Sequence, residues 1–583
     1  MPDHSTRRDV LAAASALTLG GTLSALADDG AAAARIDPEA VGDGREGIFE
    51  VERQPSSVFP QSVASGGPTP SGVLLWTRVD PDARDGATPL GVEVATDPEF
   101  ADVVYRGTVP PERFGPDRDF TATVDLDGEL DADTRYRYRF VYDGDASRVG
   151  RCRTLPGADA SPESVRFAVA SCNDYLDGFF GAFARIAEED VDFLVHLGDF
   201  IYSYGGDGPG DRAIELPSGN RLAHELADYR HLYRTYRSDR SLQRALEAHT
   251  LIHTWDDHEI VNDRWWNYET DAPQSGTHPR GEDPEFMRQL YVDAIRAYTE
   301  HVPVRVEYEP EGSDRDDRAD GRELPADDLH DAFRLYRSFR FGDLAELFVT
   351  DERLYRSEPP SAGEDGPAVP AEEAAEDPGR TMLGDDQRRW FLDGTTDSSA
   401  RWTLWGNEVL ASAFRFLDDG SVAVNADAWD GYRTERGRLL SALSEAGVEN
   451  LVTLTGDMHS YLAAYLLADF AVSPQALASE SERERVGVEF MAPAVSSDNL
   501  VATGQLPESD AVAGALRIEN PHVEWFDSSN WGYAVVEVNR EELVYSAYAV
   551  DRSVDSADVP KRLLRRYRVP AGEVAMEEVD GGG

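Results

Sequence analysis

The sequence contains almost no lysine. Lys561 is the single lysine, and every other cation is arginine. Cations of both kinds are scarce: 56 Lys and Arg stand against 110 Asp and Glu, for a formal net charge of −54. That excludes the basic face on which nucleic-acid backbones are bound and the polybasic patches that dock on anionic lipid. Cysteine occurs only at Cys152 and Cys172, so disulfides do not hold the fold together. Beyond the N-terminal stretch no run reaches the roughly 18 apolar residues of a membrane span. What is present is a hydrophobic fraction of 41%, enough for real cores and too much for a disordered acidic polymer. The 583 residues allow roughly two to four domains. Excess carboxylate without lysine suits very high salt, where the Debye length falls to about 3 Å at 1 M and self-repulsion is screened. Genomic bias toward arginine explains the missing lysine but not the surplus acid.

The N-terminus reads Ser5-Thr6-Arg7-Arg8-Asp9-Val10-Leu11, then an Ala/Leu/Gly stretch with small residues at Ala25 and Ala27. This predicts a secretory signal over 1–27. The arginine pair resembles a twin-arginine export signal, with Asp9 where an apolar residue is usual. Export machinery of that type is therefore an expected partner, with an extracellular or cell-surface location. Residues 28–50 read as a flexible acidic lead. From 51 to 156, short alternating runs such as Val73-Leu74-Leu75-Trp76 and Arg135-Tyr136-Arg137-Tyr138-Arg139-Phe140 predict a small all-β sandwich of immunoglobulin or fibronectin III type. It carries no catalytic cluster. Residues 161–558 read as a layered α/β domain. Its buried-strand runs begin at Val165, Val191, Leu251, Glu346, Trp402 and Asn450. Helices lie between them, one over Gly181 to Glu189 and one with Asp283 as N-cap and Pro284 at its first position. Ser357 to Gly379 reads as an exposed, mobile insertion, and 559–583 as a C-terminal segment and tail.

The chemistry is carried by the residues directly after each buried run. The first run ends in Ser171-Cys172-Asn173-Asp174 and the second in Gly198-Asp199-Phe200-Ile201-Tyr202. The third ends in Asp256-Asp257-His258-Glu259, then Asn262-Asp263-Arg264. Two more end in Asp351-Glu352-Arg353 and Gly456-Asp457-Met458-His459-Ser460. Ligands of open α/β sheets bind beyond the carboxyl ends of the strands. These turns therefore aim carboxylates, imidazoles, a thiol and a phenol at one place. Carboxylates crowded in low dielectric repel one another unless cations compensate them. Asp, Asn and His suit divalent ions, while Cys172 and Tyr202 add anionic donors that suit ferric iron. Each piece alone has a structural explanation: a Gly-Asp turn, a small buried thiol or a partner for Cys152, a core tyrosine, a histidine held in a network. Their conjunction at successive strand ends is hard to obtain from folding alone.

These motifs, together with Phe59-Pro60-Gln61-Ser62-Val63-Ala64-Ser65-Gly66, Tyr233-Arg234-Thr235-Tyr236-Arg237-Ser238-Asp239, Ala428-Trp429-Asp430-Gly431-Tyr432 and Asn520-Pro521-His522, resemble the PhoD family of alkaline phosphatases. That family is similar to the wider metallophosphoesterases and purple acid phosphatases. The resemblance runs from about Phe59 into the C-terminal region. It implies a metallophosphoesterase-like sandwich of β-sheets flanked by helices, and a phosphoesterase using one Fe3+ and two Ca2+. Carried onto matching positions, Cys172, Tyr202 and His459 ligate iron and Asp199 bridges iron and calcium. Asp257, Asn262 and Asp457 become calcium-side ligands. The family often has a second Asn where Asp263 stands. The resemblance also implies a C-terminal segment covering the site.

Residue chemistry adds Arg264 and Arg353 as possible bidentate grips on phosphate, each equally explained as a structural ion pair. His258 is a possible acid or orienting group for the leaving oxygen. The expected activity is hydrolysis of small or polymeric phosphate esters, monoester or diester, by a monomer. Two other readings are weighed. A cell-surface protein that merely holds calcium needs neither thiolate nor phenolate. A phospholipase D normally uses paired His/Lys motifs, and the one lysine lies in a C-terminal basic run.

Overall fold

A computed structural model describes residues 35–36, 39–40, 46–308, 330, 333–360, 368–370, 377–418, 421–470, 484–506 and 516–579. The expected signal at 1–27 lies outside them, as does most of the lead. Among the described residues, eleven strands form one mixed sheet and seven form another. At the centre of the first, Ser164–Ala170, Phe193–Leu197 and Thr250–Thr254 run parallel. In the second, Ala345–Val349, Trp402–Asn407, Leu451–Thr455 and Arg485–Met491 run parallel.

These strands read as continuous apolar runs because both faces are covered. Phe167, Val169, Val195, Leu197 and Ile252 of the first sheet meet Leu347, Val349, Leu404, Val452 and Leu454 of the second. The alternate residues Ala168, Ala170, Leu194 and Leu251 pack on Phe183, Tyr229, Leu232, Leu242 and Tyr291 from four helices, Gly181–Ile186, Leu226–Tyr236, Arg240–Ala248 and Pro284–His301. On the far side of the second sheet, Phe348, Trp405, Leu451 and Met491 meet helices Gly384–Asp397 and Arg433–Glu445. The layers thus run helix, sheet, sheet, helix, and each buried aliphatic or aromatic side chain contributes about 1.5–3 kcal/mol. Asp283 caps its helix as expected, accepting from Phe286 N at 3.2 Å. No helix among the described residues is long and apolar enough to cross a membrane.

The N-terminal β-structure forms the expected sandwich, closed around Val63, Leu75, Val92, Val94, Tyr138 and Phe140. It is not a separate body. Three of its strands, Val63–Thr69, Gly72–Arg78 and Thr121–Asp125, continue the eleven-stranded sheet, which they join through Gly66 beside Leu251. A Cβ at Gly66 would lie 2.1 Å from the Pro303 carbonyl oxygen, so glycine permits the junction.

Within the C-terminal segment, Lys561–Pro570 is a strand paired along its length with Glu542–Val550. Tyr567 and Val569 enter the inter-sheet core while Arg566 and Arg568 alternate outward, a period of two that the density of basic residues conceals. Part of the expected insertion is ordered as well: Ala368–Pro370 pairs with Ser421–Asn425. Residues 361–367 and 371–376 of it lie outside the described residues.

Candidate metal centre

All the parallel strands end at one edge, and their turns are tied together there. Cys172 N donates to the Gly198 carbonyl at 3.1 Å, and Gly456 N to that of Glu408 at 3.1 Å. Glu259 fastens two turns at once, accepting from Asp199 N at 3.1 Å, Phe200 N at 2.7 Å and Asp256 N at 2.9 Å. Cys172, Asp199, Asp263, Asp457 and His459 all take left-handed backbone, with φ of 57°, 56°, 52°, 66° and 53°. Non-glycine residues hold such conformations at about 1–3 kcal/mol each, and only where the surroundings over-determine them.

Ligand atoms gather in three groups, within each of which they lie within 4.8 Å of one another: Cys172, Asp199 and His459; Asp199, Asp257 and His258; Asp257, Asp263 and Asp427. Asp199 belongs to the first and second, Asp257 to the second and third. The result is a continuous row of donors, soft at one end and purely carboxylate at the other. Tyr202 belongs to the first end. Its hydroxyl donates to Asp199 Oδ2 at 2.9 Å, sits 3.2 Å from His459 Nε2, and accepts from Ser497 at 2.6 Å. His459 Nδ1 is fixed by the Asp498 carbonyl at 2.6 Å, which leaves Nε2 facing the group.

Electrostatics favour cations here. Burial, then neighbouring charges, pushes Cys172, Asp199, Tyr202 and Asp457 well above their ordinary pKa values. Asp263 rises to about 8, through burial and then Asp427 and Asp257. Burial lowers His459 to about 4, so its imidazole is neutral and able to bind metal. Only positive ions would let so many acids ionise together.

A model of the PhoD-like phosphatases matches residues 167–546, and one of their N-terminal domain matches 46–156. The chain belongs to the PhoD-like phosphatase family. Alkaline phosphatase D of Bacillus subtilis (strain 168) is 32% identical over 496 residues, covering 82% of this chain and 76% of that protein. A solved structure of PhoD is 28% identical, with a TM-score of 0.74 over 91% of this chain and 95% of that one. The chain is thus a phosphatase, with phosphate esters as its substrates, and the layered fold is the PhoD fold.

Within this PhoD-like site the expected residues divide. Cys172, Asp199, Tyr202, Asp257 and His459 are brought together. Asn262 is adjacent, its side chain beside the His258 imidazole. His258 itself joins Asp199 and Asp257 as a possible ligand, its ring 4.2 Å from that of Tyr202. Asp457 falls outside the three groups and accepts from Arg353 Nη2 at 3.0 Å. The two arginines expected to grip phosphate are committed elsewhere. Arg353 is fully buried, with Nε on Asp256 and Nη1 on Asp427. Arg264 donates to the Asp256 carbonyl at 2.8 Å and lies over Trp255 and Tyr291. Each neutralises or braces the carboxylate shell from behind.

Sequence reasoning misses Asp427 as a candidate ligand and leaves Asp263 open. Asp427 nonetheless obeys the strand-end pattern, since it comes just after the short strand Ser421–Asn425. The insertion upstream hides that strand from a reading of apolar runs.

Proposed function

We propose that this phosphatase hydrolyses phosphate monoesters or diesters with one Fe3+ and two Ca2+ held along the row of donors. One observation carries the reading: the three groups share Asp199 and Asp257, so neighbouring ions would be joined by bridging carboxylates. The donor chemistry fits. Thiolate, phenolate and imidazole from Cys172, Tyr202 and His459 suit ferric iron. Asp257, Asp263, Asp427 and Asn262 offer the oxygens calcium prefers, with His258 between the two ends. When bound, such ions clamp phosphate oxygens, absorb their charge and lower the pKa of attacking water.

The chain's own residues hold this array rigid. Glu259 fixes the Asp199 and Asp256 turns to each other. Ser497 and Asp199 orient the Tyr202 hydroxyl. Arg353 offsets Asp256, Asp427 and Asp457, so the carboxylates converge without a proton on every one. Burial of the ligands excludes competing water from their inner side.

The Arg-pair signal supports export of the folded, loaded enzyme by the twin-arginine route to an extracellular or cell-surface location, where calcium is plentiful. The nearly lysine-free, acidic composition supports operation in concentrated salt. The test is elemental analysis of protein purified in high salt, paired with hydrolysis of p-nitrophenyl phosphate. One iron and two calcium per chain with turnover are expected. Full turnover in metal-free protein would overturn the assignment.

A further inference from the structure

A second charged site lies at the other end of the same strands, on the outer face of the N-terminal β-structure. Strand Gly150–Arg153 pairs antiparallel with Arg135–Tyr142 so that Arg151 stands opposite Arg137 and Arg153 opposite Arg135. Two arginine pairs therefore face each other across strands, in a chain with about half as many cations as carboxylates. Directly opposed like charges destabilise a ladder. The Arg135–Arg153 pair is resolved within the protein: Arg135 donates to Asp192 at 2.7 Å, and Arg153 bonds Asp192 and Asp133. Arg137 and Arg151 have no ion pair among the described residues. Of the other acids lining the same space, Glu189 is committed elsewhere and Asp190 attracts Arg151 without forming an ion pair with it. Glu189 holds Tyr533 and Lys561, and Asp190 lies 3.8 Å from Arg135.

The four arginines line, together with Glu189, Asp190, Asp192 and His249, a cavity of about 170 Å³ between this β-structure and the start of the catalytic strands. Arg137 is half-buried and Arg151 exposed at its rim. Partial burial of its guanidinium, then repulsion by Arg137 and Arg135, lowers the pKa of Arg151 against the attraction of Asp190. Two guanidiniums with no ion pair of their own at the mouth of a cavity can receive an anion there.

We propose that Arg137 and Arg151 bind orthophosphate, the product of the enzyme, at a site separate from the metal centre. Two planar guanidinium forks match the oxygens of a tetrahedral dianion in a way that a spherical chloride cannot. The volume of about 170 Å³ accommodates a small oxyanion. The site is remote: Asp192 and Thr250 stand at the beginnings of strands whose far ends carry Asp199 and Asp257, roughly 20 Å away at ~3.3 Å per residue. The choice of phosphate among oxyanions rests on the phosphatase activity; the site itself does not.

The test is equilibrium dialysis of the metal-loaded full chain with radiolabelled inorganic phosphate at constant chloride. Two sites per chain are expected in the wild type and one in Arg137→Gln/Arg151→Gln, with turnover of p-nitrophenyl phosphate unchanged. Arg137→Lys/Arg151→Lys retains the second site with weaker binding. In phosphate-free buffer the Gln variant melts no lower than wild type, because a repulsion has been removed. Equal stoichiometry in wild type and Gln variant, a single site in wild type, or a lower melting temperature of the Gln variant would each overturn the proposal.

Discussion

Glu352 and Glu408 exchange backbone hydrogen bonds behind the metal centre. The carboxylate of Glu408 accepts from Glu352 N at 2.8 Å, and that of Glu352 accepts from Glu408 N at 3.0 Å. Both side chains are fully buried, and they join the ends of two parallel strands whose neighbours carry Arg353 and Gly456.

Two carboxyls buried this close to one another favour their protonated forms. Burial raises Glu352 from 4.5 to about 8 and lifts Glu408 well above its ordinary value, Glu352 being the largest charged influence on Glu408. A folded pKa above the unfolded one means that the native protein keeps a proton which the unfolded chain has released. Stability therefore falls as pH rises from about 4.5 toward 8. Glu352→Gln should flatten that fall, as measured by urea melts at about pH 5 and about pH 8. An unchanged slope would show that Glu352 keeps no extra proton in the native state.

Arg353 is the counter-charge for Asp256, Asp427 and Asp457. Arg353→Met should destabilise by about 3–5 kcal/mol, the effect of stranding buried charge. The loss should be largest after chelation and smaller with calcium, which at the proposed site would bring positive charge to Asp427 and the carboxylates around it. Thermal melts with and without calcium would decide it; equal losses in both would argue against the compensating role.

Gly198 has φ of 99°, and a Cβ there would lie 2.5 Å from Asp256 Cβ. Gly198→Ala should lower stability by more than about 1 kcal/mol. It should also reduce kcat by separating the Asp199 and Asp256 turns. Wild-type stability and turnover in the variant would refute the packing argument.

For the thiol end of the row, Cys172→Ala should leave the fold intact and reduce bound iron and turnover together, by about 100-fold or more in activity. Chelation of the wild type should have the same effect on turnover, reversed by adding both metals. Normal iron content in the variant would remove Cys172 from the ligand set.

With a net charge of −54, the melting temperature should rise steeply with sodium or potassium chloride up to molar concentrations, where the Debye length is about 3 Å. A melting temperature indifferent to salt would separate the acidic composition from salt adaptation.

The order and type of the elements were legible in the chain because buried strands, turns and capped helices are local patterns. Six apolar runs, the Asp283–Pro284 helix start and the strand-end acids could all be read without a structure. So could the gathering of Cys172, Asp199, Asp257 and His459, since parallel strands can only deliver their carboxyl ends to one edge. Three things were not local. The sandwich strands join the catalytic sheet through Gly66, a contact across 185 residues of chain to Leu251. Lys561–Pro570 becomes a strand because Glu542–Val550 offers it an edge. The arginines lose the role of phosphate grip and Asp427 enters the donor row because a buried guanidinium takes whichever carboxylates surround it in space. Local sequence determines which groups point out of each strand end; only packing determines which of them meet, because the energy of a buried charge depends on neighbours far away along the chain.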